Sequence, residues 1–227
     1  MPSRRADGTL VFKIIYWGPS LGGKTTALEW IYKNEGLASG KLQSITDPTG
    51  RTLFFDRVVA KVSNVVFQTY TVAGQRRHKF QRRTVLKGAD AIIFVWDSSP
   101  DQWEENIWSL KELLQFYGLK IMSKDGGKSQ GEIPFVMQAN KRDVENPTPL
   151  EKIKEVMEKA GLGTCLIYET IAVTGVNVKR GFVYAAREAV LRHYMRVQKG
   201  GPMDYAPEEP DEQGQGPAPG AAGPAPH

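Results

Sequence analysis

The sequence predicts an α/β fold: a three-layer sandwich with a mostly parallel six-stranded sheet, one antiparallel strand and helices on both faces. Three observations lead to this prediction. Strand-like and helix-like patterns alternate along most of the 227 residues. Residues 91–96 are wholly apolar, as expected for a buried central strand of a parallel sheet. A Gly-rich turn at residues 18–25 joins the first strand pattern to the first helix pattern.

Each element is predicted from the spacing of its apolar residues. Residues 10–17 form the first strand, and Leu28, Ile31 and Tyr32 share one face of a helix at residues 25–33. Residues 53–62 and 65–72 alternate around a polar turn, which predicts an antiparallel hairpin. The later predicted elements are strands at residues 91–96, 133–139 and 165–169 and helices at residues 101–117, 150–160 and 178–196, with a surface loop at residues 120–132.

Composition sets the domain limits. We expect one folded domain at residues 10–199, because 41% of the chain is apolar, which suffices for one core. Residues 1–9 are expected to be flexible, and the acidic, Pro/Gly-rich residues 200–227 to be disordered, because they bury too little to offset chain entropy. The single cysteine, Cys165, cannot form an internal disulfide, and it is expected to be structural.

The chain shows no targeting or membrane signal. No apolar run approaches the ~20 residues that span a bilayer, and the first residues lack the apolar core of a signal peptide. The second residue is Pro2 rather than the glycine required for myristoylation, and no cysteine lies at the C-terminus for prenylation. We therefore expect a cytoplasmic protein.

The Gly-rich turn carries the first functional motif. Its sequence, GPSLGGKT, matches G-x-x-x-x-G-K-[ST], and it follows a strand and opens a helix as that motif requires. Backbone amides and the helix N-terminus cradle phosphates, Lys24 reaches the β- and γ-phosphates, and the Thr25 hydroxyl ligates Mg²⁺. The sequence thus predicts a P-loop NTPase fold, with a phosphate site made by Gly18, Pro19, Ser20, Leu21, Gly22, Gly23, Lys24, Thr25 and Thr26.

A second motif concerns the base. Asn140-Lys141-Arg142-Asp143 directly follows a strand and resembles the N-K-x-D pattern of Ras-like GTPases. The resemblance implies that Asn140, Lys141 and Asp143 bind guanine, with the aspartate accepting hydrogen bonds from the ring NH and amino group. Residues 169–173 (ETIAV) resemble the E-T-S-A-K base loop of that family, with Ile and Val in place of Ser and Lys. This weaker resemblance implies that Ala172, through its backbone NH, and Val173 lie at the guanine.

Two further segments narrow the resemblance. The run R-T-L-F-F-D at residues 51–56 and T-V-A-G-Q at residues 71–75 resemble the MglA family of prokaryotic small GTPases. Its members carry T-V-P-G-Q where other Ras-like proteins have D-x-x-G-Q, and Ala73 in place of that proline is the departure here. The resemblance implies a molecular switch that hydrolyses GTP to GDP and is regulated by Roadblock-type partners.

The same segments supply the candidate catalytic residues. By resemblance, Gln75 orients the attacking water and the Gly74 amide senses the γ-phosphate. Thr52 is the candidate switch threonine, which binds Mg²⁺ in the triphosphate state. Arg51 is either an arginine finger supplied in cis or a solvated loop side chain.

Thr71 stands where the usual pattern has an aspartate near the magnesium ion, and it carries no charge. We expect Asp56, on the strand that pairs with the strand of Thr71, to supply the missing negative charge from the second coordination shell. The alternative is that Asp56 is an ordinary surface carboxylate of its strand.

A basic run follows Gln75. The net charge of the whole chain is only +5, but residues 76–87 contain six basic residues: Arg76, Arg77, Lys79, Arg82, Arg83 and Lys87. It is either a solvated, mobile loop or a switch surface for partner proteins whose shape depends on the γ-phosphate. Phe80, Val85 and Leu86 are expected either to anchor a partner or to pack onto the core.

Three classes of function can be weighed against these motifs. A GTPase switch accounts for all the motifs, with turnover expected to be slow without an activating partner. A nucleotide-locked scaffold with negligible turnover is the alternative, because of Thr71 and Ala73. Nucleic-acid binding is disfavoured, since no interleaving of aromatic and basic residues appears. The sequence does not specify exchange factors, effectors or the oligomeric state.

Overall fold

The structure is a computed structural model, and it describes residues 2–34, 57–62, 64–121 and 131–200. Its strands are β1 (Ser3–Arg4), β2 (Leu10–Trp17), β3 (Arg57–Val62), β4 (Val65–Thr71), β5 (Ala91–Asp97), β6 (Phe135–Asn140) and β7 (Leu166–Glu169). Its helices are α1 (Lys24–Asn34), α2 (Lys79–Leu86), α3 (Trp103–Ile121), α4 (Leu150–Lys159) and α5 (Val178–Gln198), with 3₁₀ turns at Arg76–His78 and Pro100–Gln102.

The strands form one mixed sheet in the order β3-β4-β2-β5-β6-β7. All neighbours along this path are parallel except β3 and β4, which are antiparallel. The predicted fold class is therefore confirmed. The described part of the predicted first hairpin strand is β3, while residues 53–56 lie outside the described residues.

One strand was not predicted. β1 pairs antiparallel with the start of β2, with Ser3 opposite Val11. This part of β2 has an open edge because β5 pairs with β2 only from Ile14 onward. Regular structure thus begins at Ser3 rather than at Leu10. Apart from Gly200, the tail that we predict to be disordered lies outside the described residues.

Two apolar clusters hold the layers together, one on each face of the sheet. Alternate residues of a strand point to opposite faces, so Ile14 packs toward α1 and α5 whereas Ile15 packs toward α3 and α4. Every residue of β5 is buried, because both of its faces are covered. Burying one such side chain contributes about 1.5–3 kcal/mol.

The basic run after Gln75 is not a loop. It forms the 3₁₀ turn at Arg76–His78 and then α2, so the prediction of a solvated loop is wrong. Arg82 and Leu86 are one helical turn apart and both are buried, whereas Phe80 is 80% exposed. Leu86 therefore packs onto the core, while Phe80 does not.

The topology determines where a ligand can bind. The carboxyl ends of the parallel strands β2, β4, β5, β6 and β7 lie at one edge of the sheet, and the motif-bearing segments follow β2, β4, β6 and β7 there. Open parallel sheets bind ligands at this edge. Within the described ranges, no helix is long and apolar enough to cross a membrane.

Candidate nucleotide-binding site

The loop between β2 and α1 has a backbone that only glycine permits at two positions. Gly18 has φ +147°, and a Cβ there would lie 2.3 Å from the carbonyl oxygen of Val95. Gly23 has φ +97°, and a Cβ there would lie 2.2 Å from Asn140 Nδ2. Leu21 adopts φ +58° with its side chain exposed, a conformation that costs energy for a non-glycine residue. The surroundings therefore impose the cradle shape on this loop.

Lys24 places a positive charge inside the cradle. Its side chain is buried, and Nζ donates hydrogen bonds to the carbonyl oxygens of Pro19 at 2.6 Å and Gly18 at 3.1 Å. It stands at the start of α1, whose first turn contains no acidic residue, so the positive end of the helix dipole is not neutralised locally. Thr25 follows on the same turn and is partly buried. This arrangement suits a polyphosphate.

Asn140 joins three segments of the site. Its Nδ2 donates to the carbonyl oxygen of Gly22 at 2.9 Å, and its Oδ1 accepts from the Ala172 amide at 2.9 Å and from the Thr170 hydroxyl at 3.2 Å. The side chain is 2% exposed. The phosphate loop and the loop after β7 are thus bound to the end of β6.

Lys141 and Asp97 form an ion pair beside this clamp. Nζ of Lys141 lies 2.6 Å from Oδ2 of Asp97, whose side chain is 1% exposed. Asn106 holds the backbone of Asp97 through two hydrogen bonds at 2.8 Å. By contrast, Asp143 lies exposed in the turn that follows. The buried carboxylate orients the lysine, and the exposed carboxylate remains accessible to a base.

The loop after β7 departs from one expectation. The resemblance implies that the Ala172 amide serves the guanine oxygen, but here that amide donates to Asn140. Val173, the next residue, is largely exposed.

Sequence reasoning missed Thr170 and Asp97, although both are polar residues at or just beyond the carboxyl end of a strand, which is the signal that could have found them.

The segment after β4 passes directly against the phosphate loop. A Cβ on Gly74 would lie 2.3 Å from the backbone nitrogen of Ser20, so no larger residue fits there. Gln75 follows, and its Nε2 is buried without a hydrogen-bond partner in the described part of the chain. Thr71, at the end of β4, is fully buried and pairs in register with Tyr16 of β2.

Several candidate residues cannot be placed. Arg51, Thr52 and Asp56 lie outside the described residues. Within the described ranges, no group of three or more His, Cys, Asp or Glu residues could hold a metal ion. Mg²⁺ at nucleotide sites is held mainly by phosphates, waters and one or two protein oxygens, so the Thr25 hydroxyl fits this chemistry.

Comparison with known proteins identifies the family. The family model described as the ADP-ribosylation factor family matches residues 7–188. The chain belongs to the small Ras-like GTPases. Within them it is MglA-like: it is 37% identical over 172 residues to the mutual gliding-motility protein MglA of Myxococcus xanthus, an alignment covering 73% of this chain and 84% of MglA.

More distant GTPases agree with this placement. Rab-7a of Dictyostelium discoideum is 25% identical over 183 residues, 80% of this chain and 83% of the relative. The structure of the small GTPase Arl6 from Trypanosoma brucei, with the bound nucleotide analogue GppNp, superposes with a TM-score of 0.60 at 20% identity and covers 80% of this chain and 99% of that one. The Arl6 likeness shows the fold. As a small GTPase, the protein binds guanine nucleotides and hydrolyses GTP to GDP and phosphate.

Proposed function

We propose that this MglA-like GTPase is a molecular switch in which the γ-phosphate of GTP alters the segment leading into α2. The observation that carries the proposal is the contact between Gly74 and the backbone of Ser20 in the phosphate loop. A phosphate bound in the loop would act on the backbone that continues into α2 within a few residues. Nucleotide-dependent rearrangement of such a segment is an established type of switch.

Guanine selectivity would come from Asp143. Its exposed carboxylate can accept hydrogen bonds from the ring NH and the amino group of guanine, whereas adenine does not present that donor pair. Asn140 and Lys141 would support it, since the clamp to Gly22 and the ion pair to Asp97 hold their side chains. In this proposal the Ala172 amide contributes by orienting Asn140.

Magnesium would be bound by the Thr25 hydroxyl, by Thr52 in the triphosphate state and by phosphate oxygens. Asp56 would supply negative charge from the second shell in place of an aspartate at position 71. The described register supports this pairing: Arg57, the residue after Asp56, lies opposite Tyr70, the residue before Thr71. If Asp56→Asn left Mg²⁺-dependent GTP affinity unchanged, the role of Asp56 would be wrong.

Gln75 would orient the water that attacks the γ-phosphate, and Arg51 would stabilise the developing charge. The buried Nε2 of Gln75, which has no hydrogen bond within the described chain, supports a role toward a ligand, because a buried amide without a partner is costly. Hydrolysis should be slow until a partner engages the switch segments.

Single-turnover hydrolysis of radiolabelled GTP tests this assignment. Gln75→Leu should lower the rate by roughly ten-fold or more, because the leucine cannot orient water. Gln102→Leu is a matched control, since that side chain bonds its neighbour Asp101 at the protein surface. An unchanged rate in Gln75→Leu would overturn the role of Gln75.

A second candidate function rests on Thr71. An uncharged residue, fully buried at the end of β4 where the usual pattern has an aspartate, favours a scaffold that stays in one nucleotide state, with negligible turnover on the timescale of signalling. Hydrolysis of bound GTP to GDP by the purified protein within minutes to hours would exclude this alternative.

As a small GTPase, the protein is expected to act through regulators and effectors. The activating partner would be Roadblock-type, by analogy with MglA-like proteins, and would bind the exposed face of α2. Phe80 is the large apolar side chain on that face, flanked by the exposed Lys79 and Arg83. Adding a purified Roadblock-type protein should accelerate hydrolysis, and Phe80→Ala should reduce the acceleration.

A further inference from the structure

Arg82 of α2 is buried in an ion pair with Glu112 of α3. Its side chain is 2% exposed and that of Glu112 is 4% exposed. Nε of Arg82 donates to Glu112 Oε2 at 2.6 Å, and Nη2 donates to Oε1 at 2.8 Å. This is the bidentate geometry that only arginine offers to a carboxylate.

The same guanidinium also binds the backbone around Gln75. Nη1 donates to the carbonyl oxygens of Ala73, at 2.9 Å, and of Gln75. Nη2 donates to the carbonyl oxygen of Arg76 at 3.2 Å. A guanidinium has five N–H groups, so two serve Glu112 and three serve the backbone.

These contacts act on both sides of the Gly74–Gln75 peptide. Carbonyls before, at and after Gln75 all converge on one rigid planar group, which limits where the Cα atom of Gln75 can lie. The Trp108 ring of α3 lies under the guanidinium, 5.2 Å from its carbon, and Glu112 anchors the group to the same helix. Through Arg82, the position of the Gln75 backbone is thus fixed relative to α3, and not by contacts within its own segment alone.

Stability alone is a poor reason for this arrangement. A buried ion pair contributes little compared with apolar residues of the same volume, because both charges lose their hydration. An arginine whose donors converge on three backbone carbonyls of a catalytic segment has a more specific consequence, since small displacements of a reacting group are costly in rate.

We propose that Arg82, oriented by Glu112, is a positioning residue for GTP hydrolysis that holds the backbone of Gln75 in its catalytic place. The proposal rests on the proposed function, in which Gln75 orients the attacking water. In this proposal Arg82 acts through the backbone of Gln75 and not by its own contact with the nucleotide or the water.

A nearby ion pair offers a matched control. Arg76 also lies over Trp108, with its guanidinium carbon at 5.0 Å from the ring centre, and it pairs with Glu105 of α3 at 2.7 Å. Both partners of this pair are substantially exposed. Glu105→Gln therefore removes an α3 carboxylate that pairs with an arginine of the same segment, without disturbing the buried clamp.

The first test compares the rates of single-turnover GTP hydrolysis by protein that is fully loaded with GTP. Arg82→Lys keeps the charge opposite Glu112, but an ammonium has three donors on one atom and cannot serve Glu112 and the three carbonyls together. We expect the rate to fall roughly 10- to 100-fold, with GTP and GDP affinities close to those of the wild type. Glu105→Gln should keep the wild-type rate.

The second test separates positioning from a general loss of structure. If Arg82 acts through Gln75, Arg82→Lys should cause no further loss in a Gln75→Leu background, because residues that act as a unit are not additive. A loss in that background as large as in the wild type would overturn the proposal. A normal rate in Gln75→Leu alone would instead overturn the role of Gln75, and a normal rate in Arg82→Lys would overturn only the clamp.

Glu112→Gln gives an independent reading if Arg82→Lys proves unstable. It removes the bidentate acceptor of Arg82 while keeping the shape of the side chain, so the rate should again fall. Thermal unfolding and nucleotide affinity are measured alongside for both variants. If nucleotide affinity falls in parallel with the rate in each, the ion pair supports the fold alone and the proposal is wrong.

Discussion

The side-chain amide of Asn140 donates a hydrogen bond to the carbonyl oxygen of Gly22 over 2.9 Å, although 118 residues separate them in the chain. This bond connects the base-recognition motif to the phosphate cradle. Because Asn140 also accepts from Thr170 and Ala172, a single buried side chain connects the end of β6 to the phosphate loop and to the loop after β7.

Asn140→Ala should therefore weaken nucleotide binding without abolishing the fold. It removes three hydrogen bonds of a buried side chain, which is worth about 2–4 kcal/mol, or roughly a 30- to 1,000-fold loss of GDP affinity. Titration with a fluorescent guanine nucleotide measures this. Asn177→Gly is the control, because Asn177 bonds the carbonyl of Glu169 at an exposed position and its φ of +56° suits glycine. Equal affinity in the two variants would contradict the clamp.

Gly23→Ala should abolish nucleotide binding. The new Cβ would lie 2.2 Å from Asn140 Nδ2, at a φ of +97° that side chains rarely adopt, so the loop and the clamp cannot coexist. Gly88→Ala is the matched control, because Gly88 also has a positive φ, +74°, but a Cβ there meets nothing within 4 Å. It should lower stability modestly and leave GDP affinity intact. High affinity in Gly23→Ala would mean that the cradle has a different shape.

Lys141→Met should destabilise the protein. It leaves the carboxylate of Asp97, 1% exposed, without its ion pair, although solvent reaches the partly exposed lysine and reduces the effect. We expect the free energy of unfolding in urea to fall by about 1–3 kcal/mol, and Lys141→Arg to restore most of it. Lys152→Met, at an exposed site on α4, should stay within about 0.5 kcal/mol of the wild type.

Stability should fall as the pH is lowered, in part through His193. This buried imidazole on α5 packs against Phe12, and burial, together with the positive charge of Arg196, lowers its pKa. The unfolded chain then binds more protons than the folded one, so stability is lost as the pH falls through the unfolded pKa of about 6.5. Urea unfolding at pH 7.5 and 5.5 should show a smaller loss in His193→Phe than in the wild type. The same loss in both would contradict the lowered pKa.

The elements that were predicted correctly owe their structure to local pattern. Residues 91–96 of β5 are an unbroken apolar run, a pattern typical of a strand that is covered on both faces. The cradle was predicted from a local motif, in which Gly18 and Gly23 stand at the two positions where φ takes the positive values +147° and +97°. Asn140 was predicted from its motif, but its three hydrogen bonds were not, since its partners come from two other loops.

The elements that were missed depend on distant residues. Residues 76–87 contain few apolar side chains and many charges, so their composition favours a solvated loop. They form a 3₁₀ turn and then α2, in which Arg82 is buried, because Glu112, thirty residues later, supplies the carboxylate that makes burial of a guanidinium tolerable. Nothing near Arg82 in the sequence distinguishes it from the exposed Arg83 beside it.

The sequence by itself determined most of the strands and helices, though not β1 or α2, together with the phosphate cradle and the guanine motif, because each depends on residues within a few positions of one another. Only the tertiary structure decided that Asn140 clamps Gly22, that Asp97 orients Lys141 and that Arg82 holds the backbone of Gln75. These pairings join segments that are far apart in the chain, and the reason is physical: a buried polar group needs a partner, and packing brings that partner into reach.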